Sequence, residues 1–294
     1  MSEDQMTRIV YCNGAYLDYA KARVHAEDRG FQFGDAVYEV CEVMCGRLVD
    51  ETRHLDRLER SLGELQMGNP MSRGAWGHVM REIVRRNRVT DGLLYLQVSR
   101  GSSPRDFFFP PEGTPQTVVV LARSTVKARG SDAATAPQGI TIKTVPDIRW
   151  KRCDIKSVML LPASLAKEAA RAEGAQDAWF VGADGFITEG GSSNAWIVDQ
   201  DGVLVTTPIS NALLRGVTRT TLLDVLKRED VALQERTFTV EEALAAREAF
   251  ITSATNILTP VTAIDGQPVG NGHPGLLTLK LQGLFHGSAE IAAA

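Results

Sequence analysis

Apolar positions along the first half of the chain recur at two spacings. Ile9–Tyr11 and Ala15–Leu17 flank Asn13-Gly14, a pair favoured in two-residue hairpins because both central positions take positive φ. Ala36–Met44 and Leu48–Val49 predict a second hairpin around Gly46. From His54 to Leu65 the period lengthens: Leu55, Leu58, Leu62 and Leu65 form one helical stripe. Trp76–Arg86 predicts another helix, with Val79, Ile83 and Val84 facing inward, and Leu93–Val98 and Val118–Leu121 read as strands.

A break follows. Residues 127–137 hold Gly, Ser, Asp, Pro and four Ala but no large apolar residue, the composition of a surface linker. Beyond it, strands are expected at Ile140–Val145, Ala178–Val181, Phe186–Thr188, Trp196–Val198, Val203–Val205, Ala249–Thr252 and Val261–Ile264. Helices are expected at Leu161–Ala172 and Thr218–Lys227. Strands outnumber helices, several are joined by hairpins, and no regular βα alternation or internal repeat is visible. The pattern predicts an α+β protein of two domains, residues 1–126 and 138–294, rather than a doubly wound sheet.

Composition narrows the function classes. At 294 residues the chain is long enough to bury a core without disulfides or metals. A net charge of −4 gives no reason to expect nucleic acid or an anionic membrane as partner. Cys12, Cys41, Cys45 and Cys153 form no C-x-x-C, and the five histidines are scattered with no H-E-x-x-H, so no metal is expected. No apolar run reaches membrane-spanning length. The acidic N-terminal residues lack a signal peptide's basic and apolar regions, so the expected location is the cytoplasm.

Four fragments could carry chemistry. Lys156 lies between Ile155 and the apolar run Val158–Leu161, so it is either a lysine snorkelling at the surface or an amine in a dry pocket. In the second case desolvation would favour the neutral nucleophile. Glu189-Gly-Gly-Ser-Ser-Asn194 sets two glycines after an acid, which lets backbone approach a ligand closely or simply makes a turn. Leu214-Arg-Gly-Val217-Thr218 precedes a helix, with Thr218 as the expected N-cap and unpaired amides available to an anion. Ser253-Ala254-Thr255 follows a strand and adds hydroxyl and backbone donors.

Taken in order, these fragments resemble fold-type IV pyridoxal 5′-phosphate (PLP) enzymes. The stretch Glu189–Arg219, with Thr206 and Thr207 midway, carries the likeness; Trp196 stands where Phe or Tyr is usual. Within that class the chain looks most like D-amino-acid aminotransferases, on Glu27–Asp35, Val37–Val40, His54–Leu58, Asp147–Trp150 and Cys153–Ser157. The likeness runs from about Tyr11 to about Gln282.

The resemblance implies a homodimer with its active site at the subunit interface, and PLP as cofactor. Lys156 would be the Schiff-base lysine and proton shuttle, and Glu189 the carboxylate facing the pyridine nitrogen. Arg57, Val217, Thr218, Ser253, Ala254 and Thr255 would hold the phosphate, with Leu214 against the ring. The substrate carboxylate is held in these enzymes by a tyrosine, an arginine and a histidine, the last two reaching across the interface. Tyr38 and Arg105 match the first two, and Phe107 stands at the histidine position. Losing that donor would cost about 1.5–3 kcal/mol of carboxylate binding if nothing replaces it. Arg23, Arg29 and Arg149 are the candidate replacements. The reaction implied is transfer of an amino group from a D-amino acid such as D-alanine to 2-oxoglutarate or pyruvate, in a ping-pong cycle. The alternatives are an (R)-amine or branched-chain L-amino-acid aminotransferase, a lyase of the same class, and a non-catalytic PLP carrier.

Overall fold

Asn13 and Gly14 take φ of 48° and 91°, the left-handed values a tight hairpin requires, and join β1 (Ile9–Cys12) to β2 (Ala15–Asp18). This hairpin opens a computed structural model that describes residues 8–125 and 139–292. The expected linker at 127–137 lies outside the described residues. Those described fall into two units.

The first unit holds residues 8–125, 155–159 and 290–292. Its sheet has the order β2-β1-β6-β5-β3-β4, with β3 (Ala36–Met44), β4 (Arg47–Leu48), β5 (Gly92–Ser99) and β6 (Thr117–Ser124). Every pairing in it is antiparallel. Along β3 burial alternates: Val37, Glu39, Cys41 and Val43 are buried, while Tyr38, Val40 and Glu42 are half-buried. A short helix, α1 (Arg29–Phe33), is capped by Asp28 and stopped by Gly34 at φ 69°.

Helix α2 (Glu51–Glu64) starts three residues before the predicted stripe and lays Leu55, Leu58 and Leu62 on β3. Helix α3 (Arg73–Arg86), capped by Ser72, covers β6 and β1 with Trp76, Val79, Met80, Ile83 and Val84. The segment Ile155–Met159 lies beside the start of β3. Ser157 bridges Val37, the Tyr38 amide donates to the Lys156 carbonyl at 3.0 Å, and the Val158 amide to that of Ala36 at 3.0 Å.

The second unit is built on a sheet ordered β12-β11-β10-β13-β14-β7-β8-β9. These are β7 (Ile140–Pro146), β8 (Asp177–Val181), β9 (Ile187–Gly190), β10 (Asn194–Val198), β11 (Leu204–Thr206), β12 (Leu233–Glu235), β13 (Glu248–Ser253) and β14 (Ile257–Ile264). A two-residue strand, β15 (Gln267–Pro268), adds to β14. The sheet is mixed, because β14 with β7, β7 with β8, and β11 with β12 run parallel. Two βαβ crossovers lie among the described residues: α4 (Leu161–Ala172) links β7 to β8, seating Ala166 and Ala170 on Ala178 and Phe180, and the helix Val217–Arg228 links the parallel pair β11 and β12.

Helices α5 (Val217–Arg228) and α7 (Leu276–Phe285) bury Leu222, Val225, Leu281 and Phe285 against Trp196 and Phe250. A second apolar cluster centres on Trp179, Ile197, Ile251 and Phe238, joined by Ala243 of α6 (Val240–Ala245). Among the described residues no helix is long and apolar enough to cross a membrane.

Candidate active site

In the first unit, strand alternation puts Tyr38 and Glu39 on opposite faces of β3. Tyr38 lies beneath the Lys156 amine, whose Nζ is 4.3 Å from the ring centroid. It stacks in turn on Tyr95 of β5 at 5.7 Å. Lys156 is half-buried and its backbone is fixed at both ends, the amide donating to Ser61 Oγ at 3.3 Å and the carbonyl accepting from Tyr38. It is neither a free surface lysine nor a sealed one. Glu39 points the other way, fully buried, and receives Arg57 as a fork: Nε donates to Oε1 at 2.8 Å and Nη2 to Oε2 at 2.7 Å. His54 completes the cluster through Nδ1, 2.7 Å from Oε2.

Burial acts to raise the Glu39 pKa, but the Arg57 charge and the Arg57 and His54 hydrogen bonds more than offset it and hold it at about 2. Burial also keeps the His54 imidazole below its ordinary range, against the pull of Glu39. Arg57 is thus an arginine braced on a buried carboxylate rather than a solvated one.

Arg105 and Phe107 gather around Phe33 instead, on the loop before β6. Arg105 Cζ lies 5.2 Å from the Phe33 centroid and 5.6 Å from that of Phe107. Two of the three candidate substitute donors are already committed. Arg29 donates to Asp35, Asp106 O and Phe108 O. Arg149 belongs to the second unit and to a different task. Arg23, the third, is exposed and donates to the carbonyls of Ala20 and Ala22.

The task of Arg149 is to hold Glu189. The Glu189 carboxylate, 5% exposed, pairs with Arg149 Nη1 through Oε1 and accepts at Oε2 from the Leu214 amide (3.1 Å) and Asn194 Nδ2 (3.2 Å). Arg149 itself lies 4.2 Å over the Phe180 ring and donates from Nε and Nη2 to Asp147. Although burial acts to raise it, Asp147 titrates below its ordinary value because of those bonds. Two carboxylates share one guanidinium, so the cluster carries a net negative charge.

Asn194 also donates to the Leu214 carbonyl at 2.9 Å, which pins the turn leading into α5. Gly216, not Thr218, is the N-cap of α5, and no side chain caps it. Thr218 lies inside the first turn, because the chain enters the helix at Val217 from an extended Gly216 (φ −61°, ψ 137°). Val217 and Thr218 are both buried. A Cβ on Gly216 would come within 2.2 Å of Asn194 Oδ1. Asn194 is paired across the sheet with Thr252, so the hydroxyl-bearing turn after β13 begins one residue beyond it. In that turn Ser253 Oγ is 3.2 Å from Thr255 Oγ1 and accepts from the Asn256 amide. Ala254, between them, is half-buried. Glu189, Leu214, Val217, Thr218 and the Ser253–Thr255 turn thus converge at one end of this sheet.

The sequence profile described as amino-transferase class IV matches residues 36–264. The chain belongs to this family. Class IV aminotransferases are PLP-dependent, and the chain is a PLP-dependent aminotransferase of α+β, fold-type IV architecture. It is 37% identical to the D-alanine aminotransferase of Staphylococcus haemolyticus over 94% of this chain and 96% of that one. It is 36% identical to the D-alanine aminotransferase of Bacillus licheniformis, over 93% and 94%. The branched-chain amino acid aminotransferase of Escherichia coli superposes with a TM-score of 0.86 at 25% identity, covering 97% of this chain and 96% of that one. The branched-chain aminotransferase of Thermoproteus uzoniensis, solved with norvaline, gives 0.83 at 23% identity over 97% and 99% and shares the fold.

The donor set of this class IV chain fits its cofactor. A buried acid with net negative surroundings suits a protonated pyridine nitrogen, and an uncapped helix start beside serine and threonine hydroxyls suits a phosphate. Sequence reasoning passed over Glu39, His54 and Asn194 as site residues and counted Arg149 only among three candidate carboxylate donors. Glu39 left a signal: an acid at an inward position of an alternating strand is buried, and a buried carboxylate needs a partner.

Proposed function

We propose that this aminotransferase takes its amino group from a D-amino acid such as D-alanine and delivers it to a 2-oxo acid, 2-oxoglutarate or pyruvate, in a ping-pong cycle. The observation that carries this reading is the 36–37% identity to D-alanine aminotransferases across more than nine-tenths of both chains. The active form is a cytoplasmic homodimer whose subunits share each site, and residues 127–137 link its two domains.

PLP, when bound, supplies the electron sink that makes the substrate Cα–H acidic. Lys156 would hold the cofactor through its Nζ, and that amine would carry a proton to and from the substrate Cα. The aromatic face of Tyr38 keeps that amine in place without consuming its donors. Glu189 would keep the pyridine nitrogen protonated, with Arg149 and Asn194 fixing both carboxylate oxygens. Arg57, fixed in place by Glu39, would hold the phosphate together with the Val217 and Thr218 amides, Thr218 Oγ1 and the Ser253–Ala254–Thr255 turn. Leu214 would lie against the ring. Tyr38 and Arg105 receive the substrate carboxylate.

A second reading draws on Phe107, Phe108 and Phe109, which are all exposed and make that loop apolar. Such a loop suits a bulky apolar donor, an (R)-amine or a branched-chain L-amino acid. Mixing the purified holoenzyme with D-alanine, L-leucine or (R)-1-phenylethylamine separates these, since a true donor discharges the visible absorption band in one turnover. D-alanine is expected to discharge it. Reaction with L-leucine but not D-alanine would overturn the assignment. Lys156→Ala is expected to lose both the band and turnover.

A further inference from the structure

Three arginines in the first unit pack on one aromatic cluster, and two of them are spent. Arg29 Cζ lies 4.5 Å from the Phe33 centroid, with its Nε on Asp35 and its Nη1 on the carbonyls of Asp106 and Phe108. Arg100 Cζ lies 3.7 Å from the Phe109 centroid, with Nε and Nη2 both on Asp35. Arg105 is different. Its guanidinium lies by the rings of Phe33 and Phe107, themselves edge-to-face at 5.8 Å, and makes no hydrogen bond or ion pair among the described residues.

A ring face attracts a guanidinium through its quadrupole and leaves the N–H edge unused. Hydrogen bonds to a carboxylate would also fix the side chain, but they would use up that edge and cancel the charge. The loop is itself held by Arg29, which takes the carbonyls on either side of Phe107. Phe107 is 79% exposed, so its ring is not there to fill this unit's core.

We infer that Phe33 and Phe107 form an aromatic cradle that aims Arg105 at the substrate carboxylate, and that both are positioning residues. Phe107 is then a replacement for the absent histidine donor rather than a gap: it presents the arginine with all its donors available. This rests on the assignment of Arg105 to the carboxylate made above, and it gives a task to Phe33, which lies in the Glu27–Asp35 motif without an assigned role.

The test uses the holoenzyme and two readouts, the KM and kcat for D-alanine and the inhibition constant of propionate, a carboxylate with no amine. Phe33→Leu and Phe107→Leu are each expected to raise the KM and the propionate constant about fivefold, with a much smaller change in kcat. Phe33→Tyr and Phe107→Tyr, which keep the ring, are expected to stay near wild type. In an Arg105→Ala background the two leucine substitutions are expected to add nothing. Equal losses in kcat and KM for leucine and tyrosine variants alike would mark a structural role and overturn the cradle, as would leucine variants that leave both constants unchanged. If D-alanine proves not to be a donor, the functional assignment falls while the cradle is still judged on propionate. If D-alanine is turned over but propionate ignores the rings, only the cradle falls.

Discussion

At the scale of single residues, the acid that anchors Arg57 ties fold stability to pH. Glu39 has an ordinary pKa of 4.5 and one of about 2 when folded, so the unfolded chain binds more protons between those values. Its contribution is complete above pH 4.5 and is lost as pH falls toward 2, on the order of 3 kcal/mol in all. His54 acts in the same direction over a higher window. Its pKa lies below the ordinary 6.5, so folding is already opposed as pH drops through that value. Glu39→Gln keeps the shape but leaves the Arg57 charge buried against a neutral amide, a loss of about 3 kcal/mol at pH 7. Urea denaturation at a series of pH values checks this. Between pH 4.5 and 3 the stability curve of the variant is expected to be flatter than that of wild type; parallel curves would mean that Glu39 is not ionised in the fold. Arg149 shows the same logic without a titration. One guanidinium spans Asp147 and Glu189, so a residue that was one of three candidate carboxylate donors in sequence stiffens the acid expected to face the cofactor.

At the scale of elements, the turn into α5 couples three features that look separate in sequence. Asn194 on β10 braces both Glu189 and the Leu214 carbonyl, and Gly216 leaves room for its side chain. The sequence pattern suggested Thr218 as the cap because threonine before an apolar run is a common helix start. Here the cap falls two residues earlier, on Gly216, with no side-chain cap, which leaves the first amides of the helix without intrahelical acceptors. Gly216→Ala is therefore expected to act at a distance. The new methyl displaces Asn194, loosens Glu189, and weakens PLP binding about tenfold for one lost hydrogen bond to a charged group. Equilibrium dialysis of PLP against the variant, with thermal melting as the control for folding, checks it; an unchanged PLP affinity would separate Gly216 from the acid. Other elements escaped the sequence reading for local reasons. Helix α7, Leu276–Phe285, is apolar nearly all round and shows no stripe, and α1 is only five residues long. Helix α6 did carry a signal, the Thr239–Glu242 capping box.

At the scale of the whole molecule, the hairpins, the α2 and α3 stripes and most strands of the second unit follow from periodicity alone, because each is a local pattern facing one core. Pairings between distant segments do not. The parallel neighbours β14 and β7 meet through Val261 and Ile140, which no local pattern links. Nor does sequence spacing reveal that residues 155–159, carrying Lys156, belong with β3, or that 290–292 close the first unit. There Ile291 bridges Val49, the Asp50 amide donates to the Glu290 carbonyl at 2.7 Å, and the Ala292 amide donates to that of Leu48 at 3.0 Å. Asp50 accepts in return from the Glu290 amide and sits at φ 54°, just before α2. That conformation costs an aspartate little, and the paired backbone of Glu290 holds it in place. Helix α2 carries both His54 and Arg57, so the last described residues of the chain brace the helix from which the proposed phosphate arginine projects. Truncation after Ala289 removes three bonds donated by backbone amides and the Thr52–Glu290 contact, about 3 kcal/mol at a typical net value for each. Calorimetric unfolding is expected to show a melting temperature lower by about 5–10 °C. The loss is expected in the transition of the first unit, and PLP affinity should weaken as the start of α2 frays. A truncated chain that melts like wild type would show that β4 and α2 hold their geometry without the C-terminal segment.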